Sequence, residues 1–169
     1  MTSTAPTLNV LFLCTHNSAR SILAEATLNH IGQGRFKAFS AGSSPRDQQQ
    51  PNPLALQVLE SAGITTEGLR SKSWNEFAAP DAPQMDLIIT VCDNAAGEVC
   101  PIWPGHPATA HWGYADPSEM QGTDAQRLEA FRQTLLAIRR RLDLLVNLPP
   151  EKLAKQLIQT TARNLSKAD

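Results

Sequence analysis

The chain has 169 residues, a formal net charge of -1 and 41% hydrophobic residues, which fits one domain with a real core. That charge balance leaves no basic footprint for nucleic acid or for an anionic membrane surface. No apolar run approaches a membrane span, and Met1 to Thr7 lacks the basic and apolar parts of a signal peptide, so residues 1–7 read as a flexible leader and the protein as cytoplasmic.

Leu8 to Leu13 is a short apolar run of β-formers, as a strand buried on both faces should be. It delivers Cys14 into the polar turn Thr15-His16-Asn17-Ser18-Ala19, and from Ser21 the period becomes helical through Ile22, Leu23, Ala26, Leu28 and Ile31. Gly32 and Gly34 stop that helix. Cys14 and Arg20 are thus separated by five residues in a strand-to-helix loop. Such a loop points backbone N–H groups at one spot where the helix dipole favours an anion, and Arg20 adds a planar fork of donors for a tetrahedral oxyanion. The same field is expected to lower the pKa of Cys14 and make it a thiolate, with Ser18 or Ser21 as a hydrogen-bond donor to it. His16 either donates to the anion or faces solvent.

Arg35 to Ala41 alternates like a strand and ends at Gly42-Ser43-Ser44-Pro45. The polar, proline-flanked stretch Gln48 to Pro53 is placed near the mouth of the site. Pro53 opens a helix with an apolar face of Leu54, Ala55, Val58, Leu59 and Ala62, and Gly63 closes it. Arg70 to Phe77 reads as a short helix capped by Ser71 or Ser73. Met85 to Cys92 is a second buried strand and it too ends at a cysteine. If the two strands pair directly in a parallel sheet with right-handed crossovers, both cysteines line one edge. The segment from Asp93 to Cys100 is polar and turn-prone. Ala108 to Trp112 reads as the last strand, Tyr114-Ala115-Asp116-Pro117 as a loop, and Asp124 as the cap of a long amphipathic helix that Pro149-Pro150 ends. Lys152 to Leu165 reads as a further helix.

Three cysteines without a secretion signal point to redox or nucleophilic chemistry rather than to a disulfide framework. Cys100, His106 and His111 do not have the spacing of a zinc site, so no metal is expected.

Cys14-x5-Arg20-Ser21 at the first strand-to-helix turn, with Asp116-Pro117 late in the chain, resembles the low-molecular-weight protein tyrosine phosphatase superfamily. Cys92 to Cys100, followed by Pro101-Ile102-Trp103-Pro104 and His111-Trp112-Gly113, is similar to its arsenate reductase branch. The resemblance runs from about Leu8 to about Leu145. It implies an α/β fold, a three-layer sandwich with a four-stranded parallel sheet flanked by helices, over residues 8–148, with residues 149–169 as an extra C-terminal helical extension.

The resemblance also implies roles. Cys14 attacks arsenic, and Thr15, His16, Asn17, Ser18, Ala19, Arg20 and Ser21 bind the oxyanion, for which phosphate or sulfate is a mimic. Asp116 acts as general acid. Cys92 then attacks Cys14 and expels arsenite, and Cys100 attacks Cys92 to carry the oxidation to an external thiol. A Cys92–Cys100 bridge needs Cα atoms within about 7 Å, so the intervening segment has to fold back or unwind. No bound cofactor is expected. The cysteine spacing is one residue longer than in thioredoxin-coupled members, whose loop often has a further cysteine at the position of Ala19, so thioredoxin, glutaredoxin with glutathione, or another small thiol all stay open as reductants. Some relatives bind potassium through an Asn, a Glu, a Ser and an Asp. Asn17, Glu25 and Ser40 match, but the Asp is replaced near Trp74, which argues against a potassium site.

Two alternatives remain. A phosphatase acting on phosphotyrosine or a small phosphoester needs only Cys14, Arg20 and Asp116, although the tyrosine that follows the Asp-Pro pair in such enzymes is Ser118 here. A non-catalytic oxyanion-binding module predicts a Cys14 of ordinary reactivity.

Overall fold

The computed structural model describes residues 7–32, 34–92 and 108–148. Four strands form one parallel sheet: β1 Leu8–Cys14, β2 Phe36–Gly42, β3 Leu87–Thr90 and β4 Ala108–His111, in the order β2-β1-β3-β4. The central strand β1 pairs with β2 from Leu8↔Phe36 to Cys14↔Gly42, and with β3 from Val10↔Leu87 to Leu13↔Thr90. Its side chains alternate between two cores, which is why the run carries no polar face. Val10, Phe12 and Cys14 point into the larger core, and Leu11 and Leu13 into the smaller one with Trp74, Phe77, Met85 and Ile88.

The larger core is covered by α1 Arg20–Ile31, α2 Pro53–Ser61 and α4 Asp124–Val146, through Ile22, Leu23, Leu59, Phe131, Ile138 and Leu142. The short α3 Asn75–Ala78 covers the other face through Phe77. Helices on both faces of a four-stranded parallel sheet give the three layers expected. Truncating a fully buried side chain such as Leu11 or Phe131 to alanine would cost roughly 2–5 kcal/mol. Among the described residues no helix is long and apolar enough to cross a membrane.

Three local expectations are corrected. The segment Arg70 to Ser73 is not helical. It runs alongside the end of β2, with a bridge between Gly42 and Ser73, and α3 begins only at Asn75. The reason is that Ser71 and Lys72 spend their polar groups on the loop after β1 instead of on a helix cap. Thr123, not Asp124, caps α4, in a capping box with Gln126, and Asp124 is the first helical residue. The second buried strand is confined to Leu87–Thr90, four residues, shorter than the expected Met85 to Cys92. The far end of α4 is held by Arg35, whose guanidinium donates to Val146 O at 2.8 Å and Leu148 O at 2.9 Å. The segment from Asp93 to Cys100 and the helix expected from Lys152 to Leu165 lie outside the described residues, as do Met1 to Pro6.

Candidate active site

In the loop between β1 and α1, four backbone carbonyls are bound from outside the loop. Ser43 N donates to Cys14 O at 3.0 Å and Ser44 N to Thr15 O at 2.8 Å. Ser71 Oγ donates to Asn17 O at 2.6 Å, and Asn52 N to Ser18 O at 2.8 Å. With those carbonyls satisfied from outside, the amides are the groups left to face the pocket. Asn17 makes the turn with φ 56°, a left-handed conformation that asparagine tolerates. Gly42 backs the loop closely: a Cβ there would lie 2.6 Å from Thr15 O and 3.0 Å from Asn17 N. The helix start adds to the same field. Ala19 at the N-cap supplies no side-chain bond and the first turn has no acidic residue, so the dipole and first amides of α1 are open to an anion.

Behind the loop, Asn17 anchors a buried polar cluster. Its Nδ2 donates to Ser21 Oγ at 2.8 Å and Ser40 Oγ at 2.9 Å, and its Oδ1 accepts from Lys72 N at 3.0 Å. Ser40 Oγ donates to the Glu25 carboxylate. Of the two serines expected beside Cys14, Ser18 or Ser21, Ser21 accepts from Asn17 through its Oγ.

Cys14 and Cys92 are both free thiols and both buried. They are partners: a side-chain hydrogen bond links Cys14 and Cys92, while Thr15 Oγ1 lies 3.4 Å from Cys92 Sγ. The parallel pairing of β1 with β3 brings together two cysteines 78 positions apart, as the strand argument requires. The expected acidic Cys14 is corrected. The Cys92 thiol, then burial, push the Cys14 thiol up, against the lowering by the Arg20 guanidinium and the Thr15 amide. The loop field is present, but a neighbouring thiol that competes for the same proton outweighs it.

Arg20 reaches across the mouth of the loop. Its Nη1 donates to Tyr114 O at 2.8 Å, its Nη2 lies 3.6 Å from Asp116 Oδ2, and its buried Nε has no acceptor among the described residues. A buried guanidinium donor beside the loop amides suits the binding of an oxyanion. Asp116 caps the 3-10 turn Pro117–Glu119, its Oδ1 accepting from Ser118 N at 2.9 Å and Ser118 Oγ at 2.7 Å. It is both turn former and ion-pair partner, and its outer oxygen faces Arg20.

These groups converge on an open pocket of about 310 Å³ lined by Thr15, His16, Arg20, Cys92, Tyr114, Ala115, Asp116 and Glu119. Thr15, His16, Asn17, Ser18, Ala19, Arg20 and Ser21 all lie in the loop or first turn. Asn17 and Ser21 are fully buried and face the supporting cluster rather than the pocket. Cys100 lies outside the described residues. His111, weighed as a metal ligand, is bound by its Nδ1 to Thr90 Oγ1 at 2.7 Å. Sequence reasoning missed the supports, namely Gly42, Ser71, Lys72 and the Tyr114 carbonyl. No periodicity marks them, since Lys72 and Asn17 are 55 positions apart and meet only because the Arg70–Ser73 segment runs beside β2.

Residues 9–160 match the family described as low molecular weight phosphotyrosine protein phosphatase. The chain is 34% identical over 126 residues to an arsenate reductase of Bacillus licheniformis, covering 73% of this chain and 84% of that one. A solved arsenate reductase in the phosphate-binding state superposes with a TM-score of 0.64 at 26% identity, over 88% of this chain and all (100%) of the other. A thioredoxin-dependent arsenate reductase of Corynebacterium glutamicum gives 0.55 at 25% identity, over 85% of this chain and 65% of the other. With a buried thiol pair at the mouth of its anion loop, this chain belongs to the low-molecular-weight phosphotyrosine protein phosphatase family and, within it, to the arsenate reductases.

Proposed function

We propose that this protein reduces arsenate to arsenite with its own thiols, and the observation that carries the reading is the Cys14–Cys92 pair at the anion loop. A phosphatase needs one thiol there; a reductase needs two. Arsenate seats its oxygens on the loop amides and on Arg20 Nε. Cys14 Sγ attacks arsenic and forms an S–As bond, and one arsenate oxygen departs as water with the thiol proton, carried through Asp116. Cys92 Sγ then attacks Cys14 Sγ. The S–As electron pair passes to arsenic, which leaves as arsenic(III), and the two sulfurs are oxidised to a disulfide.

Cys100 completes the relay by attacking Cys92, which frees Cys14 as a thiolate. An external dithiol then reduces the Cys92–Cys100 bond. Thioredoxin is the partner favoured by the Corynebacterium glutamicum relative, with glutaredoxin and glutathione as the competing route. A reducing cytoplasm suits such a cycle. Residues 8–148 carry the reaction.

The test is a single turnover of pre-reduced protein with arsenate, followed by mass-spectrometric mapping of the disulfide. Stoichiometric arsenite with a Cys92–Cys100 bridge is the expected result, with arsenite release abolished in Cys14→Ser and Cys92→Ser. No arsenite together with steady hydrolysis of an aryl phosphate would replace this reading with the phosphatase one.

A further inference from the structure

The polar cluster behind the anion loop contains a buried ammonium that the reaction does not use. The Lys72 side chain is 8% exposed, and its Nζ donates to Ser40 O at 2.7 Å and Arg70 O at 2.8 Å. Asn17 Oδ1 lies 3.4 Å from it and Glu25 Oε1 4.0 Å. Every atom around Nζ in this set is an oxygen, and one of them carries a negative charge. Burial works against both charges, lowering the pKa of Lys72 and raising that of Glu25, so the arrangement is retained against a desolvation cost. What it holds is Asn17, whose φ of 56° shapes the loop and whose side chain ties Ser21 and Ser40 together.

This position decides the potassium question. Asn17, Glu25 and Ser40 are the matching donors of the potassium-binding relatives, and an oxygen cage suits a hard monovalent cation. Here the cage is already filled by an ammonium, which is close to potassium in size and equal to it in charge. A second cation would compete for the same oxygens and meet like-charge repulsion, so the residues present do not fit potassium.

We propose that Lys72 Nζ is a built-in cation that positions Asn17, and through it the anion loop, so that oxyanion binding in this chain is independent of potassium. The proposal rests on the loop being the oxyanion site, and Lys72 is a positioning residue that touches no substrate. The probe is inorganic phosphate, whose binding to the reduced protein by calorimetry does not depend on reductase turnover. Wild-type affinity and Tm are expected to be the same in KCl and NaCl at equal ionic strength. Lys72→Ala is expected to bind phosphate about tenfold more weakly in NaCl, the loss typical of a hydrogen bond to a charged group. KCl, but not NaCl, should restore affinity and raise Tm in that variant, because the emptied cage again offers four oxygens. A merely structural lysine would lower Tm without any choice between the two salts.

Potassium-selective gain in the wild-type protein would overturn the proposal, as would phosphate affinity in Lys72→Ala within twofold of wild type. If Lys72→Ala does not fold, Lys72→Met, which keeps the apolar stem, carries the same salt comparison. Failure of phosphate to bind the wild-type protein at all would instead overturn the assignment of the oxyanion site.

Discussion

The two loops that meet at the pocket are built in opposite ways. The loop after β1 is tied from outside at the carbonyls of Cys14, Thr15, Asn17 and Ser18 by three separate stretches of chain. The loop after β4 holds Asp116 through its own turn at Ser118 and through a 3.6 Å contact to Arg20, with the Asp116 side chain 28% exposed. The difference assigns each loop its task. Donors that stabilise developing charge work best when preorganised and incur no reorganisation at the moment of reaction. A proton carrier has to approach and withdraw, so light tethering suits it.

Breaking the rigid loop should have the largest effect. Gly42→Ala forces a Cβ against Thr15 O and Asn17 N, both backbone, so the loop has to move. We expect a loss of about 3 kcal/mol in urea unfolding and of on the order of 10³ in the rate of arsenite release. Breaking the loosely held loop should do less and do it differently. Asp116→Asn is expected to lower the rate about 10²-fold while phosphate binding by calorimetry stays at the wild-type level or tightens, because Arg20 loses a competing carboxylate. A parallel loss of binding would mean that Asp116 shapes the loop as well.

The thiol pair sharpens the comparison further, since it reports the field of the rigid loop. Cys92→Ala removes the largest influence raising the Cys14 pKa, so the pH midpoint of Cys14 alkylation by iodoacetamide should fall by roughly one unit or more. Stability should follow the same linkage. The folded protein holds the Cys14 proton above the ordinary thiol value of 9.0, so this contribution is fully present below that pH and is lost as pH rises beyond it. Urea midpoints under reducing conditions should fall between pH 9 and 10.5 in wild type, and less steeply in Cys92→Ala. The smallest effect belongs to Ser118→Ala, which deletes one of two bonds to Asp116 Oδ1. A change of about threefold in rate and within about 1 kcal/mol in stability is expected.

Much of the molecule was legible before any coordinates. Leu8 to Leu13 announced a strand buried on both faces, and its pairing with the Leu87 strand was open to argument because both runs are mostly apolar and both lead to a cysteine. The oxyanion loop was legible because its donors are local: a strand end, a turn and a helix start within Cys14 to Ser21. Segments whose polar groups act at a distance were misread. Arg70-Ser71-Lys72-Ser73 has the composition of a helix start, and only contact with Asn17 and Gly42 keeps it extended. Thr123 and Asp124 are both good caps, and the reciprocal bond of Gln126 chose between them.

The sequence by itself determined the chemistry available: a nucleophilic thiol five residues from an arginine, a second cysteine at a strand end, and an Asp-Pro pair on a late loop. It determined the individual strands and helices too, because hydrophobic periodicity is a local property of the chain, while the three-layer arrangement followed from the family resemblance. Only the tertiary structure decided how those groups act on one another. It placed Cys92 against Cys14 and so raised a pKa that the loop alone would have lowered, turned Arg20 toward Tyr114 and Asp116, and put the Lys72 ammonium behind Asn17. The reason is electrostatic. The energy of a buried charge or thiol is set by neighbours within a few ångströms, whatever their separation in sequence.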